Sequence, residues 1–303
     1  MASTYIYQQE WRTKLEDRLD KPQNWKDVCD VIYTDQPAIV FTQVTASDEP
    51  AVTTGLFTAT ANRDTLSNVI AFSSVTQTTQ TMSIITTDYD NVYIDYATQA
   101  QSNFGKVMDH AGLLADKIGE RVETIVLANH AAWTNMGDDG AGNPALASAQ
   151  FTVTESNIDN LIRQIIEEIQ TANGYKMYLQ KGGFVVWRPK DNTKLVTFMQ
   201  ANGFSFADEA LRDGGKGRMG KETMGLFHYV STSHAANHLM AGIRGVQKLG
   251  LLNATFGKPY FVEHPASSTA GFLSGTSVYH RLDYGHLVLT VQLPVIYDIN
   301  VAT

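Results

Sequence analysis

Apolar residues recur every three to four positions over one long stretch of the chain. Val107, Ala111, Leu114, Ile118, Val122, Ile125 and Ala132 make the stripe, and Met108, Ala115 and Val126 widen it. Asp109, Asp116, Lys117, Glu120, Arg121 and Glu123 fill the intervening positions and predict a solvated opposite face. The pattern predicts one amphipathic helix over about 102–134, on the order of 45 Å long. That is well beyond an average globular helix and suits a strut better than one wall of a pocket.

The residues before this helix read as β structure. Runs at 38–41, 52–60, 68–72, 81–87 and 91–96 are short and rich in β-branched or aromatic residues. Between Asp64 and Gly105 there is no Lys, Arg or His, and half of residues 76–87 are Thr. Asp88, Tyr89, Asp90 and Asn91 read as a turn. Thr76, Gln77, Thr78, Thr79 and Gln80 read as the polar tip of a projecting hairpin, because such a run is costly to place in a core. An exposed strand edge of that kind needs a covering partner. Residues 1–36 have too little apolar content for a core of their own and read as an arm. Trp11, Leu15 and Leu19 mark one face of a short helix stopped by Pro22, and Trp25 and Val28 begin another turn.

After the long helix, Gly137 to Gly142 is a break. A helix is expected from Ser156 to Tyr175, with Ile158, Leu161, Ile162, Ile165, Ile166 and Ile169 inward and Asn173-Gly174 ending it. A buried strand follows at 184–187, then a helix with Leu195, Val196 and Met199 inward, a strand at 224–230 and an apolar segment at 239–245. Residues 276–283 and 286–293 read as a hairpin turning at Tyr284-Gly285. Without regular βαβ alternation, the fold class is α+β.

Composition narrows the function classes. The net charge of -8 offers no electrostatic footprint for gripping nucleic acid, although an acidic wall can enclose DNA without binding it. Cys29 is the sole cysteine, which excludes an internal disulfide and a multi-cysteine zinc site. No apolar run approaches a membrane span, and the first seven residues have neither a basic start nor an apolar core, so no signal peptide is expected.

Candidate chemistry is thin. Residues 215–221 fit the spacing G-x-x-x-x-G-K of a phosphate-binding loop, but Glu222 stands where a hydroxyl is needed and a strand follows where a helix should. The simpler reading is a basic surface loop, in which Lys216, Arg218 and Lys221 could meet an acidic neighbour. His234 and His238 have a zinc-like spacing on a helix, with no Glu between them and no adjacent third ligand. Gly271 to Gly275 misses the nucleophile-elbow spacing around Ser274. No catalytic constellation emerges, and no cofactor or metal is assigned.

Several pieces, in this order and spacing, resemble the major capsid proteins of tailed bacteriophages, with the Hong Kong 97-type fold. Residues 91–103, with Gln101-Ser102 entering the helix and residues 113–118 within it, resemble that family's strand and spine helix. Residues 156–171 followed by 184–189 resemble the first helix and strand of its axial domain. Residues 225–231 and 238–247 resemble its later segments. The resemblance implies an N-terminal arm at 1–36 and an extended loop at 64–97. It implies a peripheral domain of 37–63 with 98–145 and 270–303, and an axial domain at 146–269. It also implies a non-enzymatic subunit that self-assembles through hexamers and pentamers into an icosahedral or prolate shell around double-stranded DNA, located in the virion and assembled in the host cytoplasm. Scaffolding, portal and decoration proteins are its further partners. Some capsids of this fold crosslink through a lysine in the extended loop; here no Lys lies between Arg63 and Lys106. Assembly contacts are expected from Trp11, Trp25, residues 76–80 and the basic loop. The alternatives are an encapsulin-like compartment, and an enzyme using residues 215–221 or the histidine pair.

Overall fold

The computed structural model describes residues 23–44, 77–95, 107–202, 224–256, 258–265 and 274–302. Two sheets and a long helix organise them. The five-stranded sheet contains β1 (Asp30–Thr34), β4 (Thr86–Asp95), β10 (Gln247–Leu252), β11 (Pro259–His264) and β12 (Gly275–Val288). Its axis is β12, which pairs with β4 along one side, and with β11 and then β10 along the other. β1 adds to β10 in parallel.

The six-stranded sheet runs β6 (Pro144–Ala145), β5 (Thr134–Asp138), β13 (Ile296–Asn300), β9 (His238–Ile243), β7 (Gly183–Trp187), β8 (Leu226–Val230). β2 (Ala38–Val44) and β3 (Gln77–Ser83) form a separate antiparallel ribbon. The mixture of sheets and helices is α+β, as the sequence pattern predicts.

The helix α2 (Val107–Ala128) follows α1 (Trp25–Val28) in chain order. Its 22 described residues span roughly 33 Å, and it ends at Ala128, before the point near residue 134 that the stripe suggests. A 3-10 turn, Asn129–Ala132, succeeds it, and Trp133 is already extended. The reason is tertiary: the chain leaves the helix to place β5 in parallel beside β13. Ile118, Val122, Ile125 and Val126 are buried as expected, Ala132 is exposed, and the stripe positions before Lys117 lie outside the described side chains.

The later helices follow their stripes. α3 (Ile158–Thr171) buries Ile158, Leu161, Ile162, Ile165 and Ile169. Asn173 takes φ 60, and the Gly174 amide donates to the Ile169 carbonyl at 2.8 Å, so the Asn-Gly pair closes the helix in a Schellman motif. α4 (Tyr175–Lys181) leads into β7, and α5 (Pro189–Ala201), with Pro at its first position, turns Leu195, Val196 and Met199 inward.

Two turns expected from sequence are strands. Asp88 to Asn91 lie within β4, where Arg121 and Lys117 of α2 reach Asp88 at 2.8 Å and Asp90 at 3.6 Å. The acidic run therefore binds the helix above it and does not reverse the chain. Tyr284-Gly285 lies inside β12, and Gly285 pairs directly across from Gly250 of β10. The expected domain boundaries also cut across the sheets. β13, from 270–303, pairs with β9, whereas β10 and β11, from 146–269, pair with β12.

Candidate assembly site

The ribbon β2–β3 and its root are the first feature that could serve assembly. Thr78, Thr79 and Gln80 are not a turn; they pair with Gln43, Thr42 and Phe41 in a seven-residue ladder. The ribbon is fixed at its base. Met82 and Ile84 are buried, while Ile85 beyond them is 78% exposed. Gly250 and Gly285 make a flat saddle in the five-stranded sheet that admits this root. A Cβ on Gly285 would lie 2.2 Å from the Ser83 carbonyl oxygen, and one on Gly250 would lie 2.6 Å from Met82 Cε. Glycine is used here for close approach of another backbone. Gln80 adds a polar tie: its Nε2 donates to Thr290 Oγ1 at 2.6 Å, and its Oε1 accepts from the Thr290 amide at 2.8 Å and from Gln43 Nε2 at 2.7 Å.

The second feature is the point where the N-terminal segment joins the body. Trp25 is buried, in edge contact with Phe256. Its amide donates to Glu123 Oε2 at 2.9 Å, and Asn24 Nδ2 donates to Glu123 Oε1 at 3.2 Å and to the Val230 carbonyl at 2.9 Å. Gln23 packs where a side chain on Gly119 would sit. Glu123, placed by periodicity on the solvated face of α2, is only 2% exposed. Burial pushes its carboxyl above the usual range, and hydrogen bonds from Ser231, Asn24 and the Trp25 amide pull it back. One carboxylate thus joins the N-terminal segment to the long helix, and Asn24 joins both to the end of β8. Cys29 beside this junction is buried, and desolvation raises its thiol pKa, so it offers no thiolate.

The remaining expected residues divide between these places and others. Trp11, Thr76, Lys216, Arg218 and Lys221 lie outside the described residues, as does the whole 215–221 loop; the side chain of Gln77 does too. The segment after that loop is the strand β8, as expected. His234 and His238 do not share a helix face. His234 is half-buried, and desolvation first and Arg188 second push its pKa down to about 3. His238 opens β9 and meets His130 and Asp298 instead. Apolar side chains that sequence periodicity did not single out stand in the open: Val40 on the ribbon, Tyr89 on β4, and Phe261 and Val262 on β11. Isolated exposed apolar residues are ordinary. These cluster on the ribbon and on sheet edges, where an added strand or a neighbouring surface would cover them.

No family model matches the chain, and no curated protein sequence does. Solved structures do. A chain from Mycobacterium phage Che8 is 12% identical with a TM-score of 0.64, the alignment covering 99% of this chain and 98% of that one. The capsid of the native GTA particle is 12% identical with a TM-score of 0.62, covering 99% and 97%. The capsid structure of the cyanophage P-SCSP1u is 11% identical with a TM-score of 0.61, covering 98% and 94%. At such identity the likeness speaks for architecture alone, and over essentially its whole length this chain has the Hong Kong 97-type fold of tailed-phage capsid proteins.

Proposed function

We propose that this protein is a major capsid protein: a structural subunit, without catalytic activity, that assembles with copies of itself into a closed shell around double-stranded DNA. The observation that carries the reading is the end-to-end match to phage and GTA capsid chains. Local features support it. A ribbon seated on a glycine saddle, exposed apolar residues at its root and on strand edges, and an N-terminal segment anchored through Trp25 all suit a subunit whose extensions reach its neighbours. Many modest contacts then sum to a stable shell by avidity. A net charge of -8 lets the inner wall face packaged DNA without adhering to it.

The division into domains follows the sheets in this reading. The six-stranded sheet with α3, α4 and α5 is the axial unit and includes β13 from the C-terminal stretch. The five-stranded sheet with α2 as spine is the peripheral unit and includes β10 and β11. Residues 1–36 act as the arm, with its last part, α1 and β1, built into the body of the subunit, and the extended loop is rooted on β2 and β3. Hexamers and pentamers are the intermediate assemblies, the virion is the location, and assembly takes place in the host cytoplasm. Scaffolding, portal and decoration proteins are further partners.

Negative-stain microscopy of the purified protein, alone and co-expressed with its genomic neighbours, tests the reading. Shells, or rings of five and six subunits, are expected. Monodisperse monomers under every condition would overturn it.

A further inference from the structure

Three side chains from three separate elements converge at the end of the long helix. His130 belongs to the 3-10 turn that ends it, His238 is the first residue of β9, and Asp298 lies in the middle of β13. His238 Nδ1 lies 2.8 and 3.0 Å from the two Asp298 carboxylate oxygens, and His130 Nδ1 lies 3.2 Å from Oδ2. The two imidazoles stack with centroids 3.8 Å apart. One potential ligand atom from each of the three residues can be chosen so that all lie within 4.8 Å of one another. The carboxylate side chain is 3% exposed, whereas the imidazoles are 23% and 25% exposed, so an ion has a path in and a buried negative charge to meet.

We infer that His130, His238 and Asp298 form a binding site for one divalent transition-metal ion of the zinc class. The donor set is two imidazole nitrogens and one carboxylate oxygen, which suits zinc, cobalt or nickel and leaves a fourth position for water. Magnesium and calcium prefer all-oxygen sites and are disfavoured. The spacing fits. A tetrahedral ion with bonds of 2.0–2.1 Å needs ligand atoms about 3.3 Å apart, so the nitrogen–oxygen separations open by a few tenths of an ångström on loading. In the metal-free protein each Nδ1 donates to the carboxylate; on loading, the stacked rings turn about their Cβ–Cγ bonds so that both Nδ1 atoms converge, each giving up its Nδ1 proton to solvent and taking one on Nε2. The positive ion relieves the cost of holding the Asp298 charge away from water.

The position gives the ion a purpose. His130 ends the spine helix, while Asp298 and His238 belong to adjacent, hydrogen-bonded strands of the six-stranded sheet. An ion here would clasp helix to sheet within one subunit, at a joint that must hold its angle while neighbouring contacts vary. The clasp is independent of whether the shell reading is right.

The test uses the full chain with any affinity tag removed. Co2+ is added at pH 7.5 and followed by visible absorption, Zn2+ is titrated by calorimetry, and Mg2+ serves as the control ion. One ion per chain is expected, with the intense visible bands of tetrahedral cobalt, a raised melting temperature in Zn2+ and no response to Mg2+. His130→Gln and His238→Gln should each weaken Zn2+ binding by about 100-fold or more, beyond what loss of a supporting hydrogen bond alone usually costs. Circular dichroism of the metal-free variants checks that they fold; if His238→Gln does not, His130→Gln on its turn carries the test. Failure to bind Co2+ or Zn2+ stoichiometrically, an equal response to Mg2+, or unchanged binding in the double His130→Gln/His238→Gln variant would each overturn the assignment.

Discussion

Replacing Gly285 by alanine tests the glycine saddle directly. The added Cβ would stand 2.2 Å from the Ser83 carbonyl oxygen and 2.9 Å from the Ser83 carbonyl carbon, and both belong to backbone. Relief requires the base of the ribbon to lift by roughly 1 Å, which draws Met82 and Ile84 out of their burial. Overpacking of this kind costs about 1–3 kcal/mol. Stiffening the unfolded chain by a Gly→Ala change returns about 0.4–1 kcal/mol; because the clash is with backbone, which cannot step aside as a side chain can, the cost lies in the upper half of its range and a net loss of about 1–2.5 kcal/mol is expected. Gly250→Ala is the control. Its Cβ would meet the end of Met82 at 2.6 Å and Ile84 Cδ1 at 3.0 Å, flexible side-chain atoms that can shift, so its net change should stay within about 1 kcal/mol. Urea denaturation of the unassembled subunits, followed by fluorescence and circular dichroism, measures both. Val40 on the ribbon and Ile85 just beyond its base are exposed, so under the proposed shell assembly Gly285→Ala should lower assembly yield more than its stability loss explains. If Gly285→Ala matches the unsubstituted protein in stability, or Gly250→Ala proves the costlier change, the seating of the ribbon on the saddle is wrong.

Three further outcomes follow from the structure. Trp25→Ala should destabilise the subunit by about 3–5 kcal/mol, whereas Trp25→Phe should cost far less, because among the described residues the buried indole nitrogen has no hydrogen-bond partner to lose; chemical denaturation measures both. Glu123 has a folded pKa raised above its ordinary value of 4.5, so its contribution to stability is greatest below about pH 4.5 and is lost as pH rises through the raised value. Glu123→Gln should flatten that part of the stability–pH curve, and a variant with the same slope as the parent would refute it. Gln80→Ala should remove the ties to Thr290 and Gln43 at a cost of about 0.5–1.5 kcal/mol, visible as faster amide exchange along β3.

The elements set by their own periodicity were legible in the sequence: the isoleucine stripe of α3, the Pro-initiated α5, the apolar run of β7. What was not legible depended on contacts far along the chain. Glu123 sits at a polar position of a helical stripe, and only the arrival of Asn24 and Trp25 makes that position interior. Gly285 carries the mark of a turn, yet it is a place where another strand passes close, and sequence alone does not separate those two uses. Asp88 and Asp90 look like turn formers until Arg121 and Lys117 are seen above them. The helix stripe runs on to Ala132, but pairing of β5 with β13 ends the helix sooner. His238 pairs by spacing with His234, its neighbour in sequence, although its partners are His130 and Asp298 on other elements. The assembly of these pieces into a capsid fold came from resemblance in their order and spacing, and the solved capsid chains bear that out for the fold.

The central claim is that this chain builds shells, and cryo-electron microscopy of particles assembled from it is the most direct measurement. The account predicts closed shells in which each subunit keeps the two sheets and the spine helix described here, with the β2–β3 ribbon lying against a neighbouring subunit. Particles that never form, or a closed shell in which that ribbon contacts only its own subunit, would contradict it.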